Sequence, residues 1–220
     1  MRLFLALDLP DTILTTLDAL IAKLKPAAGR ISWSSAAKLH ITTKFIGEWP
    51  EARLAELKTA IATMPRKGVF EVRVEGLGWF PNPRAPRVLW AGVHRLAGTP
   101  PLRSGLSCDE KSVDYESPDR QGGVPAEAAG PASALEDLAR DTDRAAAAFG
   151  IAPETRAFRP HLTLARIKQP SGNLTELRQA VARAAAEEFG QFEARSQFLY
   201  LSRLSPSGSV YQKLEEFPFS

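Results

Sequence analysis

The segment Arg159-Pro160-His161-Leu162-Thr163-Leu164-Ala165-Arg166 has a counterpart 121 positions upstream (161 − 40), Lys38-Leu39-His40-Ile41-Thr42-Thr43-Lys44-Phe45. The shared core is His-apolar-Thr, and it takes up two of the chain's three histidines. In an extended strand successive side chains alternate between faces. Regular alternation therefore predicts His40, Thr42 and Lys44 on one face and Ile41, Thr43 and Phe45 on the other. It predicts His161 and Thr163 together, opposite Leu162 and Leu164, and it gives Arg166 the parity of the packing face. Each segment offers an imidazole and a hydroxyl on one side and anchors itself with apolar groups on the other.

The flanks of the two segments also match. After each His strand come turn residues, Gly47 and Pro50 in one case and Pro170 and Gly172 in the other. Apolar residues then recur at helical spacing: Leu54, Leu57, Ile61 and Met64, and Leu174, Leu177, Val181 and Ala184. A strand follows each helix and opens with a similar tetrapeptide, Phe70-Glu71-Val72-Arg73 or Phe192-Glu193-Ala194-Arg195. The remaining pattern predicts a strand over 2–9 and a helix capped by Asp11 and carrying Ile13, Leu17, Leu20, Ile21 and Leu24. It also predicts a strand over 87–93, a helix over 134–149, one strand over 192–204 and a terminal strand over 210–219. Two similar lobes of antiparallel sheet with helices on one face are the economical architecture. The stretch 98–131 is rich in Gly, Pro, Ser and Asp without apolar periodicity and reads as an inserted loop in a single bilobal domain spanning 1–220.

Composition narrows the function classes. At 44% hydrophobic and 24% charged residues the chain is of ordinary globular type. One cysteine, Cys108, excludes an internal disulfide, and no run reaches transmembrane length, so a cytoplasmic, non-membrane monomer is expected. A net charge of +3 permits an anionic partner without requiring one.

Two imidazoles facing each other across a small site suit general acid–base catalysis, one accepting a proton from a nucleophile and the other giving one to a leaving group. Two threonine hydroxyls beside them can donate to phosphate oxygens. A phosphodiester needs this set: water attacks, an alkoxide leaves, and the non-bridging oxygens stay anionic. A zinc site is the rival use of histidine, but His40, His94 and His161 lack ligand-like spacing and no Cys cluster accompanies them. By alternation Lys44 shares the His40 face and could reach an anion. Arg166, at a strand end, can swing toward phosphate. His94 has no His-x-Thr setting and reads as surface or loop. Trp33, Trp79, Phe80 and Tyr200 could stack a base, with core packing the default, and the turn carrying Arg84 and Arg87 could touch an RNA backbone.

His40-Ile41-Thr42 and His161-Leu162-Thr163 resemble the paired HxTx motifs of the two-histidine (2H) phosphoesterase superfamily. Their contexts, with the opening 2–10, Val88-Leu89-Trp90-Ala91-Gly92-Val93 and Val210-Tyr211, resemble its RNA 2′,3′-cyclic phosphodiesterase branch, also called 2′-5′ RNA ligase. The resemblance implies a bilobal α+β fold with a central cleft. It implies metal-independent opening of RNA 2′,3′-cyclic phosphate ends to 2′-phosphates, with no cofactor. It implies His40 as proton donor, His161 as proton acceptor, and Thr42 and Thr163 on the phosphate. Other expectations of the same chemistry are a small cyclic nucleotide or a cyclic ADP-ribose phosphate as substrate. A non-catalytic RNA-binding module would keep the fold alone.

Overall fold

The computed structural model describes residues 1–28, 31–65, 68–95, 134–168, 174–205 and 208–219. The insertion expected over 98–131, and Cys108 with it, lies outside the described residues. Two antiparallel sheets carry the fold. The first has the strand order β3-β1-β8-β9, with β1 Arg2–Leu7, β3 Ile41–Glu48, β8 Ser196–Ser205 and β9 Gly208–Pro218. The second has the order β2-β6-β5-β4-β7, with β2 Ser32–Trp33, β4 Phe70–Phe80, β5 Val88–Arg95, β6 His161–Arg166 and β7 Glu188–Ala194. Helices α2 (Leu54–Ala62) and α3 (Ala134–Ala147) cover the outer face of the first sheet. Helices α1 (Asp11–Leu24) and α4 (Thr175–Arg183) cover that of the second. The α+β bilobal architecture read from the sequence is the one observed.

Apolar periodicity explains the layering. Ile13, Leu17, Leu20, Ile21 and Leu24 form the buried stripe of α1, and with Leu177 and Val181 of α4 they cover Val72, Val74, Leu89, Ala91, Leu162 and Leu164 of the second sheet. Leu57 and Ile61 of α2 join Leu3, Leu5, Ile46, Leu199 and Leu201 in a separate core under the first. Pro10, not Asp11, precedes α1, and Asp11 is its first residue, where its carboxylate faces the positive end of the helix dipole.

The expected strand over 192–204 is two strands. β7 ends at Ala194 in the second sheet, and β8 begins at Ser196 in the first. The chain changes sheets there, so the two Phe-Glu-x-Arg segments do not occupy one lobe each. They are neighbours in the second sheet, with Glu71 opposite Glu193 and Val72 opposite Phe192. The repeat is faithful through strand and helix and diverges after that.

Candidate active site

The His strands do not alternate regularly. Ala6 pairs with Thr42 and Leu5 with Lys44, so Thr43 is an extra residue with no partner on β1. Trp90 pairs with Thr163 and Leu89 with Ala165, so Leu164 is the corresponding extra residue on β6. Both strands therefore carry a β-bulge three positions after the histidine, and a bulge re-aims every side chain beyond it.

This corrects three expectations. Lys44 does not share the His40 face: it is 7% exposed on the helical side. Its ammonium there pairs with Asp143 of α3 and donates to the Ala152 carbonyl at 2.9 Å. Phe45, expected inside, is 63% exposed on the His40 side and packs against Phe4. Arg166, at the repeat position of Phe45 (45 + 121), has the parity of His161 and Thr163 and is exposed. Its charge is felt at both imidazoles, as is that of His161 at His40. The cleft thus brings together His40, His161 and Arg166, with Thr42 and Thr163 beside them, and leaves Lys44 outside.

Both histidines are oriented by the same device. Nδ1 of His40 lies 2.8 Å from the Lys38 carbonyl, and Nδ1 of His161 lies 2.8 Å from the Arg159 carbonyl. A carbonyl only accepts, so each Nδ1 carries a hydrogen and each Nε2 is the nitrogen left for a partner in the cleft. Burial pushes both imidazoles below the ordinary histidine value. The Arg166 charge acts in the same direction on each, while the two carbonyl hydrogen bonds, and for His40 the Asp8 carboxylate, oppose it. The Thr42 and Thr163 hydroxyls have no hydrogen-bond partner among the described residues, so both are available to a ligand.

The walls are aromatic. His40 sits against Phe4 (4.8 Å between ring centroids) and edge-on to Tyr211 (5.1 Å), with Tyr200 beneath. The Tyr200 hydroxyl donates to Asp8, which also pairs with Lys213. Burial and that carboxylate raise the Tyr200 phenol well above its ordinary value, so it stays protonated. His161 meets Phe80 edge-on at 5.1 Å. Gly92, opposite His161 on β5, keeps this floor bare: a Cβ there would stand 2.5 Å from the Glu75 carbonyl and 2.7 Å from His94 Nε2. His94 is exposed but lies within β5, on the cleft face rather than in a loop. Trp33 and Trp79 pack against the main core, away from a stacking role.

Sequence reasoning missed Phe45, Tyr211 and Asp8. Nothing in the local pattern announces the bulge that exposes Phe45, and Asp8 and Tyr211 reach His40 only through strand pairing. Among the described residues no three His, Cys, Asp or Glu side chains gather as a metal-ligand set. No helix among them is long and apolar enough to cross a membrane. A cavity of about 370 Å³ between α2 and β9, lined by Lys58, Ile61, Met64, Glu215 and Phe217, contains neither histidine.

The chain is similar to known proteins over most of its length. The RNA 2′,3′-cyclic phosphodiesterase of Archaeoglobus fulgidus is 28% identical over 217 residues, covering 99% of both chains. That of Aeropyrum pernix is 31% identical over 177 residues, 80% of each chain. Among solved structures, TT0787 of Thermus thermophilus superposes with a TM-score of 0.70 at 25% identity, over 100% of this chain and 98% of the other. E. coli LigT complexed with 3′-AMP shares the fold, with a TM-score of 0.66 at 23% identity over the same shares. The model of the LigT-like phosphoesterases matches residues 7–90 and 126–211, which include both His-x-Thr strands, and the chain belongs to that family.

Proposed function

We propose that this protein hydrolyses the 2′,3′-cyclic phosphate end of RNA to a 2′-phosphate, with His161 as general base and His40 as general acid. The observation that carries the reading is the pair of imidazoles locked through Nδ1 in the same tautomer, with Arg166 within electrostatic reach of both. Water attacks phosphorus and gives its proton to His161 Nε2. The P–O3′ bond breaks, and the 3′ oxygen takes a proton from His40 Nε2. Thr42, Thr163 and Arg166 hold the non-bridging oxygens, where charge concentrates in the transition state. Phe45 offers an exposed ring for the terminal base. The same site with an RNA 5′-hydroxyl in place of water would form a 2′-5′ linkage.

The names of the relatives support the substrate, and the His40/His161 geometry supports the chemistry. The assignment of acid and base rests on the resemblance of the two motifs. The deciding experiment is a product assay on RNA ending in a 2′,3′-cyclic phosphate, run with excess EDTA. A 2′-phosphate product at an undiminished rate is expected. A 3′-phosphate product, or activity lost to EDTA and restored by zinc or magnesium, would overturn the reading.

A further inference from the structure

One end of the second sheet gathers positive charge. At the end where β6 stops and β5 starts stand five cations: Arg84, Arg87, Arg166, Lys168 and Arg178. They are tied together through backbone carbonyls. Arg87 donates through Nη1 to the Lys168 carbonyl at 2.9 Å, Arg178 donates through Nη2 to the Arg84 carbonyl at 3.3 Å, and the Ile167 amide donates to the Arg87 carbonyl at 2.9 Å. A carbonyl is neutral, so these bonds fix the cations without cancelling them. None of the five forms an ion pair among the described residues, and Arg84, Arg87, Arg166 and Lys168 are exposed. Asn82 accepts from the Arg84 and Ala85 amides, both at 3.0 Å, which holds the turn that presents Arg84.

Lys38 and Arg159, which carry the carbonyls that hold the two histidines, are single cations without an ion pair among the described residues, and three others have carboxylates. Arg73 faces Glu75 at 3.5 Å and Glu188 at 3.9 Å, Arg195 pairs with Glu193, and Lys213 pairs with Asp8. A ligand that ends at the scissile phosphate needs only Arg166. Four more uncompensated cations, continuous with Arg166 through the β5–β6 pairing of Val88 with Arg166, suit a ligand whose negative charge continues beyond that phosphate.

We infer that the surface formed by Arg84, Arg87, Lys168 and Arg178 is a track for the RNA backbone upstream of the cyclic end. The inference rests on the proposed hydrolysis and adds the direction in which the RNA leaves the cleft. Backbone contacts of this kind are sequence-independent, and each one lost lowers the slope of log affinity against log salt by about one.

The test compares two substrates, a decanucleotide ending in a 2′,3′-cyclic phosphate and a 2′,3′-cyclic mononucleotide, on the double variant Arg84→Glu/Lys168→Glu. Neither altered side chain has a partner among the described residues. At low salt kcat/KM on the decanucleotide should fall about 10-fold or more, with a shallower salt dependence, while turnover of the mononucleotide stays within about twofold. Lys58→Glu/Arg144→Glu, an equal charge change on the outer helices, should leave both unaltered. An equal loss on both substrates, no loss on the decanucleotide, or an equal loss in the outer-helix variant would overturn the track. If the unaltered protein turned over neither substrate, the proposed hydrolysis would fall instead. Binding of a 3′-phosphate-ended decanucleotide to the same variants would then still decide whether the track exists.

Discussion

The two His strands solve one problem with different materials. Each must expose His and Thr, absorb an extra residue, and send the side chain five positions after the histidine back into the cleft. On β3 the bulge is held by buried polar groups. Thr43 donates to the Leu5 carbonyl at 3.1 Å and accepts from Gln197, which also reaches Thr142, while Lys44 is fastened to Asp143. On β6 the extra residue is Leu164, fully buried, and the position equivalent to Lys44 is Ala165. There Ser34 holds the bulge from the side, donating its amide to the Leu164 carbonyl at 2.8 Å and its hydroxyl to the Thr163 carbonyl at 2.6 Å. The residues delivered to the cleft differ as well, a phenyl ring from one strand and a guanidinium from the other. The repeat supplies two matched imidazoles, and the divergence after the bulge makes the pocket asymmetric, which suits the proposed substrate with a base on one side and a phosphate on the other.

The sharpest way to break the symmetry is through the histidines. His40→Ala and His161→Ala should each slow hydrolysis of a cyclic-ended RNA by about 10²-fold or more. On an aryl phosphodiester, whose leaving group needs no proton, His40→Ala should recover much of its loss and His161→Ala should not. Steady-state rates on both substrates measure this. Recovery by His161→Ala alone would reverse the two roles.

Arg166→Gln should cost about 10²-fold in kcat/KM if its guanidinium meets charge that builds in the transition state. It has a second signature. Arg166 lowers the affinity of both imidazoles for protons, so its removal should displace the bell-shaped pH–rate profile toward higher pH. A loss of rate with an unmoved profile would separate Arg166 from the histidines.

The bulge supports should differ in stability rather than in rate. Lys44→Ala leaves the Asp143 carboxylate half-buried with only the Glu154 amide to compensate it, at a cost of about 2–3 kcal/mol. Ser34→Ala removes one hydroxyl hydrogen bond, at about 1 kcal/mol. Urea unfolding at neutral pH would rank them, and an equal cost would mean that the two bulges are held alike.

Phe45→Ala should have the smallest effect. Its ring is exposed, so stability should change by no more than about 0.5 kcal/mol. Loss of a stacking surface should raise KM for an adenine-ended substrate by about fivefold. An unchanged KM for every base would leave Phe45 without a part in binding.

Most of the fold was legible because its signals are local. Helices α1, α2, α3 and α4 announce themselves through apolar spacing, and the His-x-Thr repeat marks both central strands. What escaped depends on partners distant in sequence. A bulge is a mismatch between two strands, so neither Thr43 nor Leu164 differs in kind from a regularly paired residue until Leu5, Ala6, Leu89 and Trp90 are set against them. Alternation was therefore right up to Thr42 and Thr163 and wrong immediately after, at Lys44, Phe45 and Arg166. The exchange of sheets between Ala194 and Ser196 was hidden for the same reason, since strand propensity runs through it unbroken.

The bulges also make each strand tolerant of a particular kind of evolutionary change. Loss of a residue within a regular strand turns every later side chain to the opposite face. Loss of Thr43 would not: Thr42, Lys44 and Phe45 would then alternate as cleft, helix side and cleft, the faces they already occupy. Loss of Leu164 would likewise leave Thr163, Ala165 and Arg166 where they are. Each of these two bulges holds one spare residue, placed directly after the threonine, and a single-codon deletion there should be better borne than one in a regularly paired stretch of strand.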